Sequence, residues 1–498
     1  MKQKRILFRA DGDAVAGYGH VIRSLSLASM LKRKYHCVFL IRKPDAFLEA
    51  QIRNCCDELI VLPQEKDLRK EARYIAENII WEEDIVVLDG YIFKTDYQAI
   101  IRNSCFRLVC IDDIFSTHFV ADAIINHSEG ISEKNYSKEF YTRLYSGVRY
   151  MILRSSFLKK PGHRRTDLSK PRIFINMGGT DQQNYTEKAL KQCLRLESVR
   201  SIDIVTGSYY PFVKRLEKIG AENPQLKIRL HSNIAEKQMR SLMNASDLAL
   251  CSASTISYEY CCSGGLLFVF KTVPNQANIY SFLVRTGCAF PAGKLNQVMK
   301  QLRSPARLKA YFSKRARYFD GNSPARLSGI FEGMEKERAL RLKKTQASDL
   351  LTYFRWANDP EVRQNAVNTA AIPLDSHRNW FLSRIKNGST SMYVAEKNGK
   401  AIGQVRFDRH ENIAEIDYSV SKANRGKGLG QLMLKIALEE HLHHFPSVEI
   451  SAMVKAGNTA SGKVFLKLGF RRTGSTTKKG VRYEHYRLGK AKGILPKY

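Results

Sequence analysis

Two doubly wound α/β domains followed by a smaller α+β domain is the fold class that the sequence predicts, on three observations. A chain of 498 residues is too long for one hydrophobic core and suggests about three domains. Short apolar runs at 6–8, 38–41, 85–88 and 107–111 recur as a second series at 172–176, 202–206, 227–230, 248–251 and 266–270. Runs of that kind, separated by helix-length segments, mark parallel sheets covered on both faces. From about residue 338 the pattern changes. Residues 401–407, 414–420 and 448–454 read as longer strands of an antiparallel-rich sheet, with an amphipathic helix over 429–441 between them.

Residues 159–170, basic and polar with Pro161 and Gly162, read as a linker. The expected domains are therefore 1–158, 171–325 and 338–490, with a charged helical stretch over 307–338. Two α/β halves joined by a linker leave a cleft between the carboxyl ends of their sheets, where ligands bind. The apolar run 265–270 is far too short to cross a membrane, and the first residues lack an apolar signal segment. The expectation is a cytoplasmic protein with no transmembrane segment. All ten cysteines fall between Cys37 and Cys288 without zinc-ligand spacing, which predicts reduced thiols and no metal. The net charge of +33 is scattered and accompanies no nucleic-acid motif, so no nucleic-acid partner is expected. A positive field suits clefts that take small pyrophosphate-bearing anions.

Strand 414–420 alternates, with Ala414, Ile416, Tyr418 and Val420 facing one way and Glu415, Asp417 and Ser419 the other. It leads to Arg425-Gly426-Lys427-Gly428-Leu429-Gly430, which opens the helix. Glycines let backbone N–H groups approach a pyrophosphate, and the helix N-terminus favours its charge. The stretch resembles the GNAT acetyltransferase signature. Matching features flank it in order: Arg355 to Arg363, then His377 with Trp380 and Phe381, then Asn458 followed by Ser461, Phe465 and Leu468-Gly469-Phe470. The resemblance covers about 338–488. It implies acetyl-CoA as co-substrate, held by Val420, Arg425, Gly426, Lys427, Gly428, Leu429 and Gly430, with Asn458 on the cofactor arm. It further implies acetyl transfer to an amine, for which Glu415 or Asp417 is the candidate base. Backbone N–H groups of the splayed strand before the loop would polarise the thioester carbonyl. Phe465 stands where many relatives carry a tyrosine that protonates the departing thiolate, leaving Tyr418, Tyr483, Tyr486 or solvent for that step.

In the first domain, Arg9-Ala10-Asp11-Gly12-Asp13 and then Gly17-Tyr18-Gly19-His20 follow the first strand. The loop delivers His20 at a helix N-terminus, where the dipole favours the neutral imidazole of a general base; a packed capping histidine is the alternative. Met177-Gly178-Gly179-Thr180-Asp181 follows the first strand of the second domain. Ser252-Ala253-Ser254-Thr255 opens a helix that carries Glu259. Helix N-terminal hydroxyls and amides suit phosphate, and a carboxylate one turn later suits ribose hydroxyls. These motifs resemble the nucleotide-sugar hydrolases of pseudaminic acid biosynthesis, which are related to GT-B glycosyltransferases. The match runs over about residues 4–321 and includes Asp89 with Tyr91, Asp112-Asp113, His118 and Asn275-Gln276.

That resemblance implies a GT-B-like pair of domains, a UDP-sugar substrate and no metal. His20 would activate the water that displaces UDP from the anomeric carbon with inversion, while Tyr91 and Asn275 orient sugar and water. Arg9, Asp11, Gly19, Gly178, Gly179, Ser254, Thr255, Glu259 and Gln276 would bind substrate, with Glu259 on the uridine ribose. The family often has histidine before the tyrosine, where this chain has Gly90. The combined expectation is a bifunctional enzyme that acetylates a UDP-4-amino sugar and then removes UDP. The alternatives are a GT-B glycosyltransferase fused to an acetyltransferase, a hydrolase and acetyltransferase for a related sugar epimer, or a front part that only presents a nucleotide sugar.

Overall fold

The computed structural model describes residues 4–12, 18–158, 168–179, 181–207, 210–232, 234–302, 304–478 and 480–489. Asp13, Gly17, Thr180 and most of the expected linker lie outside them. The chain forms two compact units, Met1–Ser137 with Arg143–Ile330, and Lys138–Thr142 with Phe331–Tyr498. The two expected α/β halves thus share one unit.

The first half is built on a seven-stranded sheet ordered Glu58–Leu62, Tyr35–Arg42, Lys4–Ala10, Ile85–Asp89, Arg107–Ile111, Ala123–Asn126, Arg143–Ser146. Every pairing in it is parallel. Ile6, Leu7, Phe8, Val38, Val86 and Val87 are wholly buried, which is why these strands read as unbroken apolar runs. The four expected strands are joined by three more, two of them only four residues long.

The second half holds a six-stranded parallel sheet ordered Lys227–Ser232, Ser201–Thr206, Arg172–Asn176, Leu248–Ser252, Leu266–Phe270, Phe290–Pro291. In each sheet the first strand lies between its second and fourth strands in chain order. The strand order therefore reverses there, which opens a crevice at the carboxyl ends. Ala10 and Asp89 end the two strands flanking that point in the first sheet, as Asn176 and Ser252 do in the second.

The C-terminal unit carries a seven-stranded sheet ordered Leu340–Lys344, Thr390–Lys397, Lys400–His410, Ile413–Val420, Glu449–Lys455, Val481–Leu488, Arg471–Lys478. All neighbours are antiparallel except Ile413–Val420 and Glu449–Lys455, which pair in parallel over only three positions, Ile413 to Glu415. Beyond them the two strands part. Helix Leu429–His444 packs Met433, Leu434, Ala437, Leu438 and Leu442 into the core. Along strand Ile413–Val420, Ala414 and Ile416 are buried and Glu415 and Asp417 exposed, as the alternation predicts. Ser419 departs from it, being buried where the strands separate. Among the described residues, no helix is long and apolar enough to cross a membrane.

Candidate active sites

At the crevice of the first sheet, helix Gly19–Leu31 starts immediately after the loop and sets His20 over the end of strand Ile85–Asp89. His20 Nδ1 lies 2.7 Å from Asp89 Oδ1. Asp89 is fully buried. Burial pushes its carboxyl up, but Arg23 and His20 outweigh that and hold it at about 2. An ionised carboxylate only accepts hydrogen bonds, so Nδ1 carries a proton toward Asp89, and in the neutral ring the lone pair is then on Nε2. Arg23 Nε and Nη2 donate to Asp89 at 2.8 and 2.5 Å, and its Nη1 donates to Asp113 at 3.3 Å. Sequence reasoning left out Arg23; its signal was the spacing of three from His20, one helical turn.

Tyr91 stands edge-on to the His20 ring at 4.6 Å between centroids. Its hydroxyl accepts a hydrogen bond from Asn275 Nδ2 at 3.1 Å, across the crevice from the second half. Burial, then the charge of Asp113, push the Tyr91 phenol up, so it stays protonated. The structure thus brings His20, Tyr91 and Asn275 together. It adds His127, which is 4% exposed and follows strand Ala123–Asn126; burial, then Arg23, bring its imidazole down to about 4. Asp112 is a turn-former: it accepts from Ile114 N, Phe115 N and the Tyr136 hydroxyl. His118 sits apart from this cluster, 2.8 Å from the Ser137 hydroxyl. A side chain at Gly90 would meet the Phe93 ring at 2.9 Å, so Phe93 fills the space beside Tyr91.

Three of the expected binding residues are paired within the fold. Arg9 is 1% exposed and donates to Glu71 at 3.0 and 2.9 Å and to Asp11 at 2.6 and 2.7 Å. Asp11, which is half-buried, is in turn held by Arg42, so the two residues belong to one charge cluster with Glu71 and Arg42. Glu259 is 3% exposed and takes a bidentate pair from Arg154 at 2.7 and 2.5 Å. A buried carboxylate needs such a partner.

The other loops of the second half stay open. Gly178 adopts φ +98°, and a Cβ there or at Gly179 would meet nothing within 4 Å. Asp181 caps the next helix through Tyr185 N and Thr186 N. Ser254 precedes Thr255 at the start of helix Thr255–Ser263, its hydroxyl 3.0 Å from that of Ser252. Gln276 Oε1 accepts from Thr272 N and Oγ1, which closes the turn beside Asn275. Gly19 has open space around it.

In the C-terminal unit, Gly426 and Gly428 take φ +73° and +74°, a left-handed conformation in which a side chain is strained. Gly428 caps helix Leu429–His444, and Leu429 packs into the core. Gly430 lies against Val420 and Tyr418, where a Cβ would come within 3.2 Å of the valine. Lys427 Nζ reaches Ala423 O, while Asn458 accepts from Ser461 N to cap the last helix. Beside the parted strands lies a cavity of about 360 Å³, lined by Tyr353, Trp356, His377, Trp380, Arg406, Asp417 and Tyr418 among others.

Asp417, not Glu415, reaches that cavity. Glu415 is exposed in the paired part of the strand, before the separation. Asp417 Oδ2 accepts from Gln404 Nε2 at 3.1 Å and lies 3.8 Å from Arg406. The Tyr418 hydroxyl is 2.9 Å from that of Ser461, and burial pushes the phenol up, so it stays protonated. Phe465 meets Tyr418 edge-on and stacks on Tyr486, and Tyr486 donates to Glu484 at 2.7 Å. Tyr483 is buried in the strand paired with Glu449–Lys455. Neither of those two lines the cavity. Sequence reasoning left out Gln404 and Arg406, which lie on the neighbouring strand opposite Ser419 and Asp417.

Residues 339–471 match the family described as the acetyltransferase (GNAT) domain, so the C-terminal unit carries a GNAT domain. The N-terminal region is homologous to the UDP-2,4-diacetamido-2,4,6-trideoxy-beta-L-altropyranose hydrolase of Campylobacter jejuni. The two are 27% identical over 289 residues, which is 57% of this chain and 97% of the hydrolase. An uncharacterised protein of Methanocaldococcus jannaschii is 23% identical over 492 residues, 94% of this chain and 97% of that protein. Among solved structures, the spermidine N-acetyltransferase of Vibrio cholerae with CoA and spermine aligns at 15% identity and TM-score 0.29, over 30% of this chain and 95% of that one.

Proposed function

We propose that the chain is a bifunctional nucleotide-sugar enzyme with a GT-B-like hydrolase in its first unit and an acetyl-CoA-dependent N-acetyltransferase in its second. The observation that carries the reading is the His20–Asp89 pair at the crevice of a region homologous to a UDP-sugar hydrolase, in one chain with a GNAT domain. His20 Nε2 takes a proton from water as its oxygen bonds to the anomeric carbon. The bond from that carbon to UDP breaks with inversion, and the imidazolium is stabilised by Asp89. Tyr91 and Asn275 orient the sugar.

In the second unit acetyl-CoA supplies the acetyl thioester. A neutral amine attacks its carbonyl, Asp417 takes the amine proton directly or through water, and the Tyr418 hydroxyl protonates the departing thiolate. The acceptor is the 4-amino group of a UDP-4-amino-4,6-dideoxy-N-acetyl-altrosamine. The product of acetylation is then the substrate of the hydrolase, in the synthesis of a nonulosonic (pseudaminic) acid in the cytoplasm. Homology to the hydrolase supports the sugar class, and the acetyltransferase domain supports the missing acyl step.

The test incubates that UDP-amino sugar with acetyl-CoA and follows products by mass spectrometry. One acetyl gain followed by stoichiometric UDP release without any added acceptor is expected. UDP release only when a second sugar or lipid is supplied would instead mean glycosyl transfer. Replacing His20 by Asn should cut UDP release by about a thousandfold or more and leave acetylation within a factor of about two.

A further inference from the structure

The arginine that opens the glycine loop commits its guanidinium away from the loop. Arg425 Nε donates to Val420 O at 3.0 Å, Nη1 to Glu361 Oε2 at 2.7 Å and Nη2 to Asp359 Oδ1 at 2.8 Å. The Asp359 contact is the inner one, its side chain 15% exposed against 65% for Glu361. The same Asp359 Oδ1 accepts from Glu361 N at 3.1 Å and Val362 N at 3.3 Å, which caps helix Pro360–Asn365. Although burial pushes the Asp359 carboxyl up, Arg425 and those amides hold it below the usual range.

A helix of six residues has no stability of its own and stays where its ties hold it. Here the ties come from both of the strands that part. Arg425 follows strand Ile413–Val420, and Lys455, the last residue of Glu449–Lys455, donates from Nζ to Gln364 O at 2.9 Å. Val362, Arg363 and Ala366 from this segment form one wall of the cavity that Asp417 and Tyr418 line from the other side.

We propose that Arg425 is a positioning residue for the acceptor and not a ligand of the cofactor pyrophosphate: it fixes the short helix that walls the acceptor cavity. The backbone amides of the loop and the helix N-terminus are left to meet the pyrophosphate, as the left-handed glycines allow. Acceptor affinity is thereby coupled to the conformation of the donor loop, because one side chain belongs to both. The inference rests on the acetyltransferase reading above, and the experiment separates the two.

Arg425→Gln, Arg425→Lys and Glu361→Gln are made in the full chain. CoA affinity is measured by titration calorimetry, and kcat and KM with the UDP-amino sugar as acceptor. Arg425→Gln should leave the CoA dissociation constant and kcat within about threefold and raise the acceptor KM by about tenfold. Arg425→Lys, which keeps a donor for Asp359, should recover most of that KM. Glu361→Gln, which removes only the exposed partner, should change it by about twofold or less. A loss of CoA affinity of about tenfold or more at unchanged acceptor KM overturns the proposal.

Should the unmodified chain acetylate no UDP-amino sugar, the substrate assignment fails and the clamp is read without an acceptor. Trp356 and Trp380 line the cavity, and Trp81→Phe removes the other tryptophan. In that background Arg425→Gln should shift the tryptophan emission while CoA affinity is kept. Unshifted emission, or lost CoA affinity, overturns the clamp.

Discussion

Asp89 shows how much one buried carboxylate can organise. It accepts from His20, from two nitrogens of Arg23 and from the Ser24 hydroxyl at 3.3 Å, with no exposure to water. An asparagine there would turn an N–H toward Arg23 and free the imidazole to adopt the wrong tautomer, so charge and shape act together. In the GNAT domain the comparable residue is Tyr418, which faces the cavity while Phe465 packs behind it. Tyr418→Phe should lower the acetylation kcat by about a hundredfold and leave CoA affinity unchanged, with thiol release followed at saturating acceptor. An unchanged kcat would hand the thiolate's proton to solvent.

At the scale of elements, two loops at the carboxyl end of the second sheet differ in how they are held. A Cβ at Gly207, which follows strand Ser201–Thr206, would come within 2.1 Å of the Gly179 carbonyl oxygen. Nothing stands within 4 Å of a Cβ at Gly179 itself. Gly207→Ala should therefore cost about 1–3 kcal/mol in chemical denaturation, and Gly179→Ala much less. The contrast fits what was legible in the sequence. Fully buried strands such as Ile85–Asp89 and Leu248–Ser252 announce themselves as apolar runs. Arg143–Ser146, at a sheet edge with no wholly buried residue, does not. His20 was legible because the glycine turn and the helix start are local features. The ion pairs of Arg9 with Glu71 and of Glu259 with Arg154 are not legible in the sequence, because the partners stand 62 and 105 positions away and only the folded chain brings them together. Asp417 and Glu415 were inseparable by pattern, since only the parting of the strands after residue 415 distinguishes them.

For the whole molecule, each unit buries a histidine whose charged form is disfavoured by that burial. His441 is fully buried, with both ring nitrogens unpartnered and its ring stacked on Phe407 at 4.0 Å. Burial, then Arg409, bring it down to about 3, and His127 in the other unit lies at about 4. Both folded values lie below the unfolded value of about 6.5, so the unfolded chain binds the extra protons. The stability they support is complete above pH ~6.5 and falls as pH drops toward the folded values, by about 1.4 kcal/mol per unit for each histidine. His441→Phe, which keeps the stack, should flatten the acid limb of the C-terminal unit's denaturation profile. A limb of unchanged slope would show that other groups carry it.

The three-position pairing between Ile413–Val420 and Glu449–Lys455 has one more consequence. A sheet ordinarily has two edges, both at its flanks. This one carries a third in its interior, where two strands still paired on their outer sides turn backbone amides and carbonyls toward an empty lane. The pairing with a neighbour that an edge offers is available there to an extended group. Recognition at an interior edge of this kind depends on the spacing of amide groups along a chain as much as on charge.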